Sequence, residues 1–224
     1  MKNTRTLISL LIFCLILSIL SIIFYINQDK ITNTLIEKEA IKVKEDIVNK
    51  KYKDKNEEEP EGLEPSYDTS SVEEVTVESF IKHKNEFKKV KAKSRIEIPS
   101  INLNLPIFAG INQTHLLLGA GEQIKGMKAG DVGNYILAAH RMPYTSGLGF
   151  NKIERLKEGD LVYIYDDNSE YIYNIFLVKR ISDSETRYLN DYNDRKILTL
   201  YTCQDLSETS GNTDKVIVQA ELVE

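Results

Sequence analysis

The stretch KILTLYTCQD, Lys196 to Asp205, decides how this chain is read. Ile, Leu, Tyr and Thr crowd its first seven positions, the texture of a β-strand. The run ends on Cys203. The sequence holds 2 cysteines, and the other, Cys14, lies far upstream. A lone thiol where a strand hands over to a loop is a reactive nucleophile, one half of an intermolecular bridge, or a small buried hydrophobe.

Compartment bears on that choice. Residues 7–26, LISLLIFCLILSILSIIFYI, carry no charge. About 20 such residues cross a hydrocarbon core of about 30 Å as a helix. The run is too long for a signal-peptide core and lacks a small-x-small cleavage site, so it is expected to be an uncleaved anchor. Lys2 and Arg5 on its short flank favour a cytoplasmic N-terminus, with everything after residue 27 outside the cell. Cys14 falls inside the span, which leaves Cys203 as the single thiol of the outer part. The net charge of −5, with Lys and Glu intermixed, gives no footprint for nucleic acid.

Residues 27–71 are rich in Lys, Glu, Asp and Asn and poor in apolar side chains, so they read as a charged stalk, helical at best over NTLIEKEAIKVKEDIVNKK. Residues 72–224 then form the one globular domain that 224 residues at 42% hydrophobic content allow. Ser71 to Glu74 matches a capping box opening a helix toward Lys91. From residue 94 onward come short β-type runs: SRIEI and LNLPIFA around Pro99, NYILAAH, DLVYIYDD, EYIYNIFLVKRI, RKILTLYTC and DKVIVQAELV. Asp166 to Ser169 supply a hairpin turn. Thr114 and Phe150 are expected to open two short helices. About seven strands with short helices point to an antiparallel barrel or sandwich.

A thiol works as its thiolate and needs a base or cation beside it. Three histidines compete. His83 sits in a Lys-rich helix as a solvated residue, and His115 begins a short helix in a surface or capping role. His140 ends the apolar run NYILAAH and opens a loop, the same kind of position that Cys203 occupies.

On these residues the chain resembles the sortases, membrane-anchored cysteine transpeptidases of Gram-positive bacteria. TLYTC, residues 199–203, is similar to their TLxTC signature. GAGEQIKGMKAGDVGNYILAAHRM resembles the approach to their catalytic histidine, and SRIEIPSINLNLPIF their opening strands. The likeness covers about residues 90–224. It implies a mainly β fold, a closed eight-stranded barrel with short helices behind an N-terminal transmembrane helix. It also implies an activity: the Cys203 thiolate attacks the Thr–Gly bond of an LPXTG-like sorting signal. A thioacyl-enzyme forms, and a peptidoglycan-precursor amine resolves it. The implied partners are secreted proteins with a C-terminal sorting signal, that cell-wall amine, and the membrane. His140 would be the acid and base, Thr202 would shape the oxyanion and substrate pocket, and Ala138 would line the peptide groove.

One position departs from the family. Where sortases carry an arginine at the start of the last strand, this chain has Lys215, or Asp214 if the loop shifts by one. With Val216, Val218, Ala220 and Leu222 on the core face, Lys215 points the other way. Arg141, next to His140, is the alternative cation. Arg195 is excluded, because eight strand residues put it about 26 Å from Cys203. Glu122, Asp131, Asp183, Glu185 and Asp191 match calcium-binding loops of some sortases in general location only, so no cofactor is expected, with calcium as the alternative. The short link from Ile181 to Arg195 and the absence of an aromatic lid favour the class A type over class B and the pilin polymerases. A sortase-like binder without turnover and a plain cysteine hydrolase are the rivals from other classes.

Overall fold

The structure, a computed structural model, describes residues 2–50, 62–73, 75–142, 148–167, 169–182, 184–203 and 215–223. It opens with one long helix, α1 (Lys2–Lys50). Large apolar side chains from Ile8 to Ile26 are exposed along α1. Among the described residues, no helix is long and apolar enough to cross a membrane. Farther along α1, Ile41, Val43 and Ile47 dock on a flank cluster that includes Phe80, Phe87 and Phe108. This part of the stalk is therefore packed on the domain.

Eight strands follow: β1 (Ser94–Ile98), β2 (Leu103–Ala109), β3 (Ala120–Glu122), β4 (Gly133–Ala138), β5 (Leu161–Tyr165), β6 (Glu170–Ile181), β7 (Lys196–Cys203) and β8 (Lys215–Leu222). They close into a barrel in the order β1-β2-β3-β4-β7-β8-β6-β5, with β1 pairing β5 to complete the ring. Two contacts depart from the antiparallel expectation, since β2 runs parallel to β3 and β4 parallel to β7. The three-residue β3 carries no readable alternation, and it is the strand missing from the sequence reading. Inside the barrel, Ile96, Leu105, Leu137, Leu200 and Val218 belong to one buried core.

Helical details also differ from expectation. Helix α2 (Val77–His83) is capped by Thr76, whose side chain accepts from Ser79 N–H while Ser79 caps in return, so the box lies five residues beyond Ser71. Glu74 lies outside the described residues. Helix α3 (Gln113–Leu116) has Asn112 at its N-cap position, and Thr114 sits inside it, donating its hydroxyl to Glu86. Only a 3-10 turn, Ile153–Arg155, forms where a helix from Phe150 was expected.

The segment before α2, which composition assigns to the stalk, is strapped to the barrel. Ser66 N–H donates to Asn112 Oδ1 at 2.7 Å, and its carbonyl accepts from Ile111 N–H at 2.7 Å. Gly110, at φ +78°, lets the strap come this near, because a Cβ there would stand 2.6 Å from Ser66 O.

Candidate active site

β4 and β7 lie side by side and point the same way. Their register pairs Gly133 with Lys196 and Ala138 with Tyr201, an offset of 63 residues throughout. His140 and Cys203 carry that same offset, two residues past the last pair, and Ala139 N–H still donates to Tyr201 O at 3.3 Å. On the other side of β7, the antiparallel register pairs Cys203 with Lys215. The ends of β4, β7 and β8 therefore bring positions 140, 203 and 215 into one row, with neighbouring strands about 4.8 Å apart. The side chain of Cys203 lies outside the described residues.

Alternation says which way the row faces. Tyr135, Leu137 and Ala139 point into the barrel, as do Val216 and Val218. Ile136, Ala138, Tyr201 and Ile217 belong to a second cluster on the outer surface. His140 and Lys215 share the outward parity of Ala138 and Ile217. Ala138 thus faces outward from the barrel, in that second cluster. Thr202 is buried and shares the parity of Leu198 and Leu200 in the core, which turns its hydroxyl away from that cluster.

The chain just past β4 is pinned rather than loose. His140 O accepts from Phe150 N–H at 2.9 Å, and Asn151 grips both the N–H and the carbonyl of Met142. Gly149, at φ +68°, makes the approach possible, since a Cβ there would come within 2.1 Å of His140 O. A histidine at the end of such a strand has a fixed backbone.

His140 keeps intermediate exposure, but protein groups surround its ring and burial lowers its pKa to about 4. The resting imidazole is neutral at pH 7. Its Nε2 lies 3.1 Å from Gln113 Oε1. The two cations read from the sequence have different surroundings. Lys215 Nζ sits 5.9 Å from the centre of the Tyr201 ring. Arg141 donates to Glu154 at 3.3 Å, and Arg180 donates to the same carboxylate at 2.6 Å. Arg195 pairs in bidentate fashion with Glu221 at the opposite end of β7, as its distance required.

The other two histidines are not as composition suggested. His83 is partly buried between Glu86 and Thr114, each 3.1 Å from Nδ1. His115 is buried, stacks on Phe108 at 4.9 Å, and has its pKa lowered to about 4 by burial.

The β6–β7 connection walls the outer surface with Tyr188 and Leu189, and Val72 of the strap packs on the same cluster. A polar clamp holds that wall. Asn134 Nδ2 donates to Tyr188 O and Asn190 O, Thr199 donates to Asn134 Oδ1 at 2.6 Å, and Gln219 Nε2 donates to Thr199 Oγ1 and Tyr188 O. These buried polar groups satisfy one another, as groups away from water must.

Among the described residues no cluster of His, Cys, Asp or Glu is arranged to hold a metal ion. Glu122 takes Lys93 at 2.8 Å and Tyr135 at 2.9 Å. Asp191 accepts from Asn134 N–H, Asp131 from Lys128 N–H, and Glu185 pairs with Arg187 and Lys179. Asp183 lies outside the described residues.

The Sortase domain family model matches residues 96–223, from within β1 to the end of β8. The chain belongs to the sortase family. It is 31% identical to sortase A of Streptococcus agalactiae over 95% of this chain and 83% of that protein. Sortase A of Listeria monocytogenes is 34% identical over 65% of this chain and 64% of that protein. The solved structure of Listeria monocytogenes sortase A superposes with a TM-score of 0.54 at 32% identity, covering 59% of this chain and 88% of that one. Sortases are cysteine transpeptidases, and this sortase carries a cysteine and a histidine at the ends of adjacent parallel strands. The residue that sequence reasoning missed is Gln113. It lies 27 positions before His140, and only the fold brings the two together.

Proposed function

We propose that this sortase is of the class A type, cleaving an LPXTG-like sorting signal between Thr and Gly and transferring the protein to a cell-wall amine. The common register of His140, Cys203 and Lys215 supports this reading most directly. The short β6–β7 connection, whose only described helix is the 3-10 turn Thr186–Leu189, favours class A over a class with a long helix inserted there.

The steps use the chain's own side chains. His140 takes the proton of the Cys203 thiol, and sulfur attacks the Thr carbonyl carbon. As the tetrahedral intermediate collapses, the C–N bond breaks and His140 returns the proton to the departing glycine nitrogen, leaving a thioester. An incoming amine gives a proton to His140 and attacks the thioester. The C–S bond then breaks, and the thiolate recovers its proton. Lys215, across β7 from Cys203, supplies positive charge to the oxyanion. Lysine keeps the charge of the family's arginine but lacks its planar fork, so it holds the oxyanion less firmly. Substrates are secreted proteins with a C-terminal sorting signal, taken up at the outward-facing ends of β4, β7 and β8.

Residues 7–26 serve as a single-pass anchor, with 1–6 in the cytoplasm, 27–71 as the link to the barrel, and the catalytic domain from residue 72 outside the cell. Support comes from the uncharged run and from the exposure of its large apolar side chains, which require apolar surroundings.

The test incubates the full-length chain with an LPXTG-type peptide, with and without an oligoglycine amine. An amide product that vanishes in Cys203→Ala is expected. Release to water alone would mean a hydrolase, and saturable binding without turnover would mean a binder.

A further inference from the structure

We propose that Gln113 is a positioning residue of the transpeptidation reaction: its side-chain carbonyl holds the Nε2–H of His140, leaving Nδ1 as the ring nitrogen that exchanges protons with Cys203 and the amines. The inference rests on the functional reading above and adds a third member to its cysteine and histidine.

Three observations carry it. First, Gln113 Oε1 lies 3.1 Å from His140 Nε2, and 3.1 Å from the backbone N–H of Glu73 in the strap. Second, the Glu73 N–H can only donate, so the atom facing it must be the amide oxygen. An oxygen cannot donate, so the ring nitrogen beside it carries the proton. This assigns the tautomer from the network of donors and acceptors. Third, Gln113 is 5% exposed, the first residue of α3, and its buried Nε2 has no hydrogen-bond partner among the described residues. The amide holds this orientation because two donors converge on its oxygen.

The arrangement follows a general requirement of nucleophile and base pairs, in which a third group fixes the base's tautomer and aim. A neutral carbonyl fulfils that role without the charge a carboxylate would bring. Burial dominates the lowered pKa of His140, which accords with a neutral orienter. Among the described residues, the Glu73 carboxylate takes Lys82 at 2.5 Å and Arg141 donates to Glu154. Lys215 stands across β7.

Nitrogen-15 NMR of the His140 ring in the full-length chain reads the tautomer directly, with no need for turnover. The expected result is Nε2 protonated and Nδ1 bare in the parent chain, and a mixture of tautomers in Gln113→Ala. In the peptide assay, Gln113→Ala should lose about 10- to 100-fold in kcat with KM little changed. Gln113→Glu keeps the acceptor and adds charge, so it should restore the tautomer and move the acid limb of the kcat/KM profile to higher pH. Glu73→Pro, which removes the second donor outside the row, should broaden the tautomer population and serves if Gln113→Ala does not fold. A proton on Nδ1 in the parent chain, or an unchanged tautomer and kcat in Gln113→Ala, would overturn the assignment. A parent chain with the expected tautomer but no transpeptidation would instead refute the functional reading.

Discussion

Cys203 and Lys215 are the last register pair of the β7–β8 ladder, directly opposite one another across two antiparallel strands. The strand end that carries the thiol thus meets a lysine where the family has an arginine. Removing an oxyanion donor commonly costs about 10²- to 10³-fold in kcat. Lys215→Ala should lose activity on that scale, and Lys215→Arg should gain several-fold by restoring the bidentate fork. Steady-state kinetics with an LPXTG-type peptide decide it, and an unchanged rate in both variants would remove Lys215 from the mechanism.

Gly149 gives a second expectation. Its positive φ and its approach to His140 O leave no room for a side chain. Gly149→Ala should push the start of the loop away from β4, lowering kcat more than it lowers thermal stability. Equal kcat in variant and parent would show that the close approach does not position His140.

The polar clamp over the outer surface predicts a different signature. In Thr199→Val, Asn134 loses its hydroxyl donor and Gln219 one acceptor, both in buried surroundings. The cost should be about 1–3 kcal/mol. The β6–β7 wall that Asn134 and Gln219 hold through Tyr188 should loosen, raising KM for the peptide more than it reduces kcat. Chemical denaturation and peptide kinetics on the same samples measure both effects.

His115 ties stability to pH. Its folded pKa of about 4 lies below the ordinary 6.5. Above pH 6.5 the group is neutral in both states and adds no pH dependence. As pH falls from 6.5 toward 4, the unfolded chain takes up a proton the folded one refuses, so stability declines. The full window is worth about 3 kcal/mol. His115→Phe, which keeps an aromatic ring on Phe108, should flatten denaturation midpoints between pH 7 and pH 4.5 relative to the parent.

Much of this architecture is legible in the sequence, for identifiable reasons. β6 has the bounds its apolar run announces, and β7 and β8 begin within a residue of theirs, because period-two patterning survives wherever a strand has a core side. The Asp166 to Ser169 turn is written in its residue types, and Ser169 N–H does bond Asp166 Oδ1 at 2.8 Å. Pairing direction is not written locally. The parallel β4–β7 contact joins runs 63 residues apart, and it is this contact that aligns His140 with Cys203. Gln113 was illegible for the same reason, since its partners Glu73 and His140 lie 40 and 27 positions away. The Thr76 cap is hidden in the sequence because its box is closed by Ser79 rather than by the Glu or Gln that marks the familiar pattern.

The most direct test of the row formed by His140, Cys203 and Lys215 is intact-mass spectrometry of the full-length chain quenched in acid seconds after mixing with an LPXTG-type peptide and no amine. The predicted result is a population heavier by the peptide fragment through its threonine, with that fragment mapped to Cys203 and absent in Cys203→Ala. A parent chain that consumes the peptide while its mass and its Cys203 thiol stay unaltered would contradict the thioester on which the account depends.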